Sequence, residues 1–251
     1  MQIQDWHLPA GVQALCTTRL GGVSLPPFTS LNLGCHVQDD PQHVALNRNL
    51  FQKQLNGARP VFLNQVHGTE VLTIKPCTAD GVTADACLTQ EQNVACTIMV
   101  ADCLPILFTD SKGTTVAAAH AGWRGLAQGV IENTVKSLCE KSGAPPSDIQ
   151  VWLGPCIGPS AFEVGSEVRQ IFLQTHGAAN SCFKNLPLTP SKYLADLPAL
   201  ARQRLVSLGV QFIAGNDSSD AWCTVQQASQ FFSYRRDGVT GRFAACIWRT
   251  G

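Results

Sequence analysis

Two apolar runs, Val94–Val100 (VACTIMV) and residues 114–119 (TTVAAA), constrain this chain more than any other feature. Each is too short for a globular helix and has no polar face, so each reads as a strand covered on both sides. Such strands need layers above and below them. A chain of 251 residues with 45% hydrophobic content can supply those layers. Further strands are predicted at 12–19, 61–63, 71–74, 149–153, 210–214 and 242–248, with 106–108 continuing the first apolar run past a kink at Pro105. Helices are predicted at 126–139, 163–173 and 193–208, and from Asp39-Asp40-Pro41 to Leu55, where acidic caps precede a first-turn proline. Helices and strands interleave, yet several strands follow one another directly. That order predicts layered α+β rather than a doubly wound nucleotide fold. No tandem repeat, low-complexity tract or long linker divides the sequence, so residues 1–251 read as one domain.

Lys plus Arg and Asp plus Glu balance at 18 each, which argues against nucleic acid as a partner. The one adjacent arginine pair, Arg235-Arg236, is too small to hold a phosphate backbone. No stretch approaches the ~18 apolar residues of a membrane span. The opening MQIQDWHLPAGV lacks the order of a signal peptide, so a cytoplasmic location is expected. The 11 cysteines are odd in number and contain no C-x-x-C. They read as reduced thiols, mostly small buried hydrophobes, among which an active one must be found by its neighbours.

The chain has 6 histidines, and scarcity narrows the search for chemistry. His67 in LNQVHGTE, Cys103 in VADCLP and His120 in AAAHAGWRG each end a strand at a turn, where a rigid scaffold offers side chains to a cleft. Two imidazoles and a thiolate form a sensible zinc ligand set and leave a fourth position for water or substrate. Taken singly, each His reads first as a hydrogen-bonded core or surface residue and the Cys as packing; it is the three coincident strand ends that argue for a site. Copper also tolerates these donors, but a four-copper oxidase consumes roughly ten imidazoles and is excluded by counting. Asp85, Asp102 and Glu70 lie near these segments and are candidates for orienting ligands or moving protons. The turn His120-Ala-Gly-Trp-Arg-Gly125 offers Gly122, Gly125 and Arg124 as a phosphate or carboxylate pocket, or else a tight turn with a surface arginine. Residues 233–242 place Arg235 and other charged groups before the last strand; a solvated hairpin with an Arg–Asp pair is the plainer reading.

Together the segments TTRLGGVSLPPFTSLNLG, NQVHG, ADCLPILF, HAGWRGL, LGPCIGP with AFEVG, KYLADLPALARQRL and FFSYRRDGVTGR resemble the YfiH-type laccase-domain family, also called multicopper polyphenol oxidase-like. The resemblance runs from about residue 16 to the C-terminus. It implies a four-layer α/β/β/α sandwich with mixed sheets, shared with certain CNF-like cysteine-hydrolase toxins. It also puts the family's metal ligands on His67, Cys103 and His120. Ser160 and Ala161 stand where many relatives carry cysteines, so those thiols are not needed here. Family members are described as purine nucleoside phosphorylases that also deaminate adenosine and cleave methylthioadenosine.

The resemblance therefore implies a zinc enzyme, copper being a possible substitute, acting on a purine nucleoside with phosphate. In it Arg124 would cradle the anion, and Asp102 or Glu70 would transfer the proton. Asp85 and Arg235 join the expected substrate-binding residues, and a monomer is expected. Two other readings keep the same residues. In one, Cys103 and His120 hydrolyse an amide, such as a cell-wall precursor. In the other, the chain is a non-catalytic metal-binding partner module.

Overall fold

In the computed structural model, which describes Ile3 and residues 6–251, the two apolar runs become strands of different sheets. β5 (Val94–Val100) is buried along its whole length. It lies in a four-stranded sheet of order β1-β13-β5-β2, with β1 (Val12–Cys16), β2 (Arg59–Phe62) and β13 (Phe243–Arg249). β7 (Val116–Ala121), equally buried, belongs to a six-stranded sheet of order β12-β8-β6-β7-β4-β3. Its other members are β3 (Val71–Thr73), β4 (Ala86–Thr89), β6 (Leu104–Asp110), β8 (Ile149–Leu153) and β12 (Phe212–Gly215). Both sheets are mixed: β2 runs parallel to β5, β3 to β4 and β12 to β8, while the other pairings are antiparallel.

The side-chain alternation of these strands builds three cores. Ile98, Val100 and Phe243 meet Leu107, Val116 and Ala118 between the two sheets. On the far side of the six-stranded sheet, Ile106, Phe108 and Ala119 pack against helices α2 (Trp123–Gln128), α3 (Val130–Ser142), α4 (Ser166–Thr175) and α5 (Leu197–Ser207). On the far side of the four-stranded sheet, Phe62, Ala95 and Met99 pack against Phe51 of α1 (Pro41–Lys53). The result is the expected α/β/β/α stack. A small third sheet joins β9 (Glu163–Gly165), β10 (Phe183–Asn185) and β11 (Lys192–Ala195). No helix among the described residues is long and apolar enough to cross a membrane.

Several sequence expectations need correction. Residues 106–108 do not continue β5; the chain leaves one sheet at Ala101 and enters the other at Leu104, turning through Asp102 at φ +93. The helix expected at 126–139 is two helices, because Gly129 takes φ +102, a left-handed conformation that interrupts α-helix. The helices expected at 163–173 and 193–208 each begin as a strand. The second becomes helical only after Asp196, whose side chain accepts from Ala199 N–H. Residues 233–242 contain one helical turn, α6 (Tyr234–Asp237), capped by Ser233, rather than a hairpin. The Arg–Asp pair is present there, Arg236 to Asp237 at 2.7 Å.

Candidate metal centre

The crossing between sheets is where the chemistry collects. Cys103 sits on that crossing, His120 near the end of β7, and His67 on the loop after β2. Their ligand atoms all lie within 4.8 Å of one another. Cys103 Sγ is 3.6 Å from His67 Nε2, and the two imidazole rings meet edge-on with centroids 4.8 Å apart. His67 is exposed, Cys103 half-buried and His120 buried, so the cluster opens to one side.

One carboxylate organises two of the three. Asp85, fully buried just before β4, accepts the backbone N–H groups of Val66, His67 and Gly68 at 3.1, 2.8 and 2.6 Å. Such successive N–H groups make a nest for an anion. The same carboxylate contacts His120 Nδ1 at 2.8 Å, and its backbone carbonyl accepts His120 N–H at 2.7 Å. With Nδ1 engaged, Nε2 is the nitrogen left to bind a metal, the usual carboxylate–histidine arrangement of metal sites. Burial alone would raise the Asp85 pKa, but the hydrogen bonds from His120, Gly68 and Val66 outweigh it and hold the carboxyl below its ordinary range.

The thiol is prepared for ligation as well. Burial would raise its pKa, yet the neighbouring His120 and His67 pull Cys103 down to about 6. For His120, burial would favour the neutral ring, but Cys103 and Asp85 raise it to about 9. Two nitrogens and one ready thiolate, with a carboxylate behind one ring, fit a single divalent ion with an open coordination position. With 6 histidines in the chain, the donors do not fit a set of several coppers.

The cluster forms part of the wall of a cleft of about 990 Å³ that also includes Phe62, Met99, Phe162 and Trp123. Arg124 and Arg235 line it too, both exposed. Gly122 and Gly125, expected to form an anion cradle, lie against protein and are not part of the cleft wall. A Cβ at Gly122 would stand 2.5 Å from His67 Cδ2 and 3.1 Å from Cys103 Sγ, and one at Gly125 would stand 2.8 Å from the Gly68 carbonyl. Asp85, expected among the substrate-binding residues, is sealed behind His120 and does not line the cleft. Glu70 is exposed and off the cleft wall; its carbonyl accepts from Asp85 and Ala86 N–H. Asp102 lines the cleft, its carboxylate accepting from the Thr224 hydroxyl and Arg235 N–H, both at 2.6 Å. Sequence reasoning missed His36 and Arg48, which the fold brings to this cleft beside Arg242. The scarcity of histidine was the one hint toward His36.

A four-layer sandwich with two imidazoles and a thiol converging where its sheets exchange strands defines a laccase-like domain. The chain belongs to the multi-copper polyphenol oxidoreductase laccase family, whose sequence pattern matches residues 13–250. It is 51% identical to a Pseudomonas aeruginosa protein named purine nucleoside phosphorylase, over 97% of this chain and 96% of that one. It is 48% identical to the Escherichia coli purine nucleoside phosphorylase YfiH, over 98% and 97% of the two chains. A Neisseria meningitidis crystal structure superposes with a TM-score of 0.91 at 46% identity, covering 98% of each chain. The Bacillus licheniformis YfiH structure gives 0.87 at 33%, covering 95% of this chain and 93% of its own.

Proposed function

We propose that the chain is a purine nucleoside phosphorylase whose centre holds one divalent ion, zinc in the first instance, on His67, Cys103 and His120. Its proposed reactions are phosphorolysis of adenosine, inosine and methylthioadenosine, with adenosine deamination beside them. The observation that carries this reading is the convergence of three metal-binding atoms within 4.8 Å on a large open cleft. The phosphorylase names of relatives at 51% and 48% identity support it. A zinc ion bound there supplies Lewis acidity and an acidified water.

The chain's own groups have separable tasks. Asp85 fixes the tautomer and direction of His120 and, through three N–H groups, the loop that carries His67. Met99 and Phe162 offer apolar surface for a flat purine and displace water from it. Asp102, on the wall next to Cys103, is the carboxylate proposed to move a proton, since Glu70 does not line the cleft. Freshly purified protein should release adenine from adenosine only with orthophosphate present, and chelator should stop it. Absence of phosphate-dependent release from all three nucleosides would overturn the reading.

One specific feature favours a second reading. Cys103, His120 and Asp85 also form a thiolate–imidazolium–carboxylate series, as a thiol hydrolase requires. Such a series uses one histidine, whereas His67 brings a second imidazole to within 3.6 Å of the sulfur, which suits a metal better. The readings separate cleanly: a hydrolase keeps or gains activity under chelation, and the metalloenzyme loses it.

A further inference from the structure

The cleft is cationic although the chain as a whole is neutral. Arg48, Arg124, Arg235 and Arg242 line it with only Asp80 and Asp102 as acidic residues, against 18 basic and 18 acidic residues overall. These four guanidinium groups are not equivalent. Arg235 Nη1 is given to the carbonyls of Ala161 and Glu163, and Arg124 lies over the Trp123 ring with no other partner among the described residues. Arg242 donates Nη1 to the carbonyls of Thr240 and Gly241. Its Nε and Nη2 meet no acceptor, and it has no carboxylate at ion-pair distance, among the described residues.

Arg242 is held in place by its surroundings. Its backbone N–H donates to Asn32 Oδ1 at 2.8 Å, and its carbonyl accepts from Leu33 N–H at 3.0 Å. Gly34 lets the strand of chain at 32–36 lie directly on its stem, since a Cβ there would stand 2.8 Å from Arg242 Cγ. The same strap carries His36 and accepts Arg48 Nε through the Leu33 carbonyl at 3.0 Å. Arg48 is stacked over Phe62, 3.9 Å from its centroid, and touches Asp80 only at 3.7 Å. His36, Arg48, Arg242 and His120 line the same cleft, and the His36 pKa is lowered first by partial burial and then by the charges of the other three.

We infer that Arg242, Arg48 and His36 form a phosphate site beside the His67–Cys103–His120 cluster, and that its ligand is the orthophosphate of phosphorolysis. The inference rests on the phosphorylase reading and shifts the anion from the Arg124 turn to the 32–36 strap. Two forked guanidinium groups and an imidazole suit a tetrahedral oxyanion; the negative charges of Cys103 and Asp102 act on Arg242, but neither forms an ion pair with it among the described residues. In the reaction a phosphate oxygen bonds to ribose C1′ as the C1′–N9 bond breaks. The bonding pair leaves with the purine, and the proton of hydrogen phosphate ends on the purine nitrogen. The products are ribose 1-phosphate and the free base, with no other reactant needed.

Binding of inorganic phosphate to the metal-loaded protein, followed by 31P line broadening, tests the site without turnover. Saturable binding is expected, weakened about tenfold or more in Arg242→Gln by loss of a charge-assisted contact. His36→Asn, an exposed change that leaves the strap intact, should weaken it about threefold, and Arg124→Gln should leave it unchanged. In turnover, R242Q should raise KM for phosphate with little change in KM for nucleoside. Absence of saturable binding, equal affinity in R242Q, or loss in R124Q instead would overturn the site. A nucleoside monophosphate bound a hundredfold more tightly than orthophosphate would assign the site to a phosphate ester and overturn the orthophosphate assignment. Arg242-dependent phosphate binding without any nucleoside cleavage would keep the site and reject the phosphorylase reading.

Discussion

Beneath the metal cluster, one buried carboxylate accepts three backbone N–H groups and one imidazole, whereas along the rim arginines reach into the cleft from α1, α2, α6 and the segment before β13. The floor is fixed by hydrogen bonds in a desolvated setting, where losing one partner strands the others. The rim is fixed by carbonyl contacts and ring stacking that a substitution can shed with little loss. Floor substitutions should therefore act on metal retention and stability together, and rim substitutions on ligand affinity alone.

Cys103→Ala should strike hardest. Removal of a donor must exceed the roughly 10–100-fold loss typical of an outer partner, so metal content should fall to background and turnover by more than about a hundredfold. Inductively coupled plasma analysis and adenine release would show it. Retained metal with full turnover would make the floor no different from the rim.

Asp85→Asn comes next, because an amide must point its NH2 at N–H donors on one side or the other. A loss of roughly 3 kcal/mol of stability and about 10–100-fold in metal affinity is expected, read by thermal unfolding and competitive chelation. The wild-type carboxyl has a folded pKa below its unfolded value, since the His120, Gly68 and Val66 hydrogen bonds outweigh burial. Its contribution is thus present above the unfolded carboxyl pKa and is lost as pH falls through the folded one. The stability gap between the two proteins should close in acid.

Gly122→Ala sharpens the contrast further. Gly122 has φ −67, which alanine accepts, so the folded chain should change by less than about 1 kcal/mol. The added methyl still meets His67 Cδ2 at 2.5 Å, and metal affinity should fall about tenfold in the same chelation assay. A subtler effect is a shifted pH profile. In metal-free protein, alkylation of Cys103 by iodoacetamide should fall away as pH drops through about 6, because a lowered pKa keeps the thiolate down to that value. Cys16, pushed up to about 12 by burial, should stay unlabelled throughout in site-resolved mass spectrometry.

The same contrast governs what the sequence made legible. His67 and His120 stood out because scarce histidines ended apolar strands, and Cys103, one of 11 cysteines, because it stood at a similar strand end. Asp85 was visible only as a nearby acid. The strand after it, Ala86–Thr89, has no apolar–polar alternation because all four residues are buried, so no periodicity marked its register. Gly122 and Gly125 announced a close approach, but a glycine does not say what approaches; here it is the His67–Gly68 loop. Gly129 broke a helix whose apolar spacing continued on both sides, and Lys192–Ala195 merged with the following helix because Tyr193 and Leu194 fit its spacing. The Arg242–Arg48–His36 group joins the residue before the last strand, the first helix and the loop before that helix, a meeting of distant segments that local pattern cannot show.

X-ray absorption of the freshly purified protein is the most direct test of the shared metal site. One divalent ion per chain is expected, with one sulfur at about 2.3 Å and two imidazole nitrogens at about 2.0–2.1 Å. A purified protein without stoichiometric metal, or a bound ion with no sulfur in its coordination shell, would contradict it.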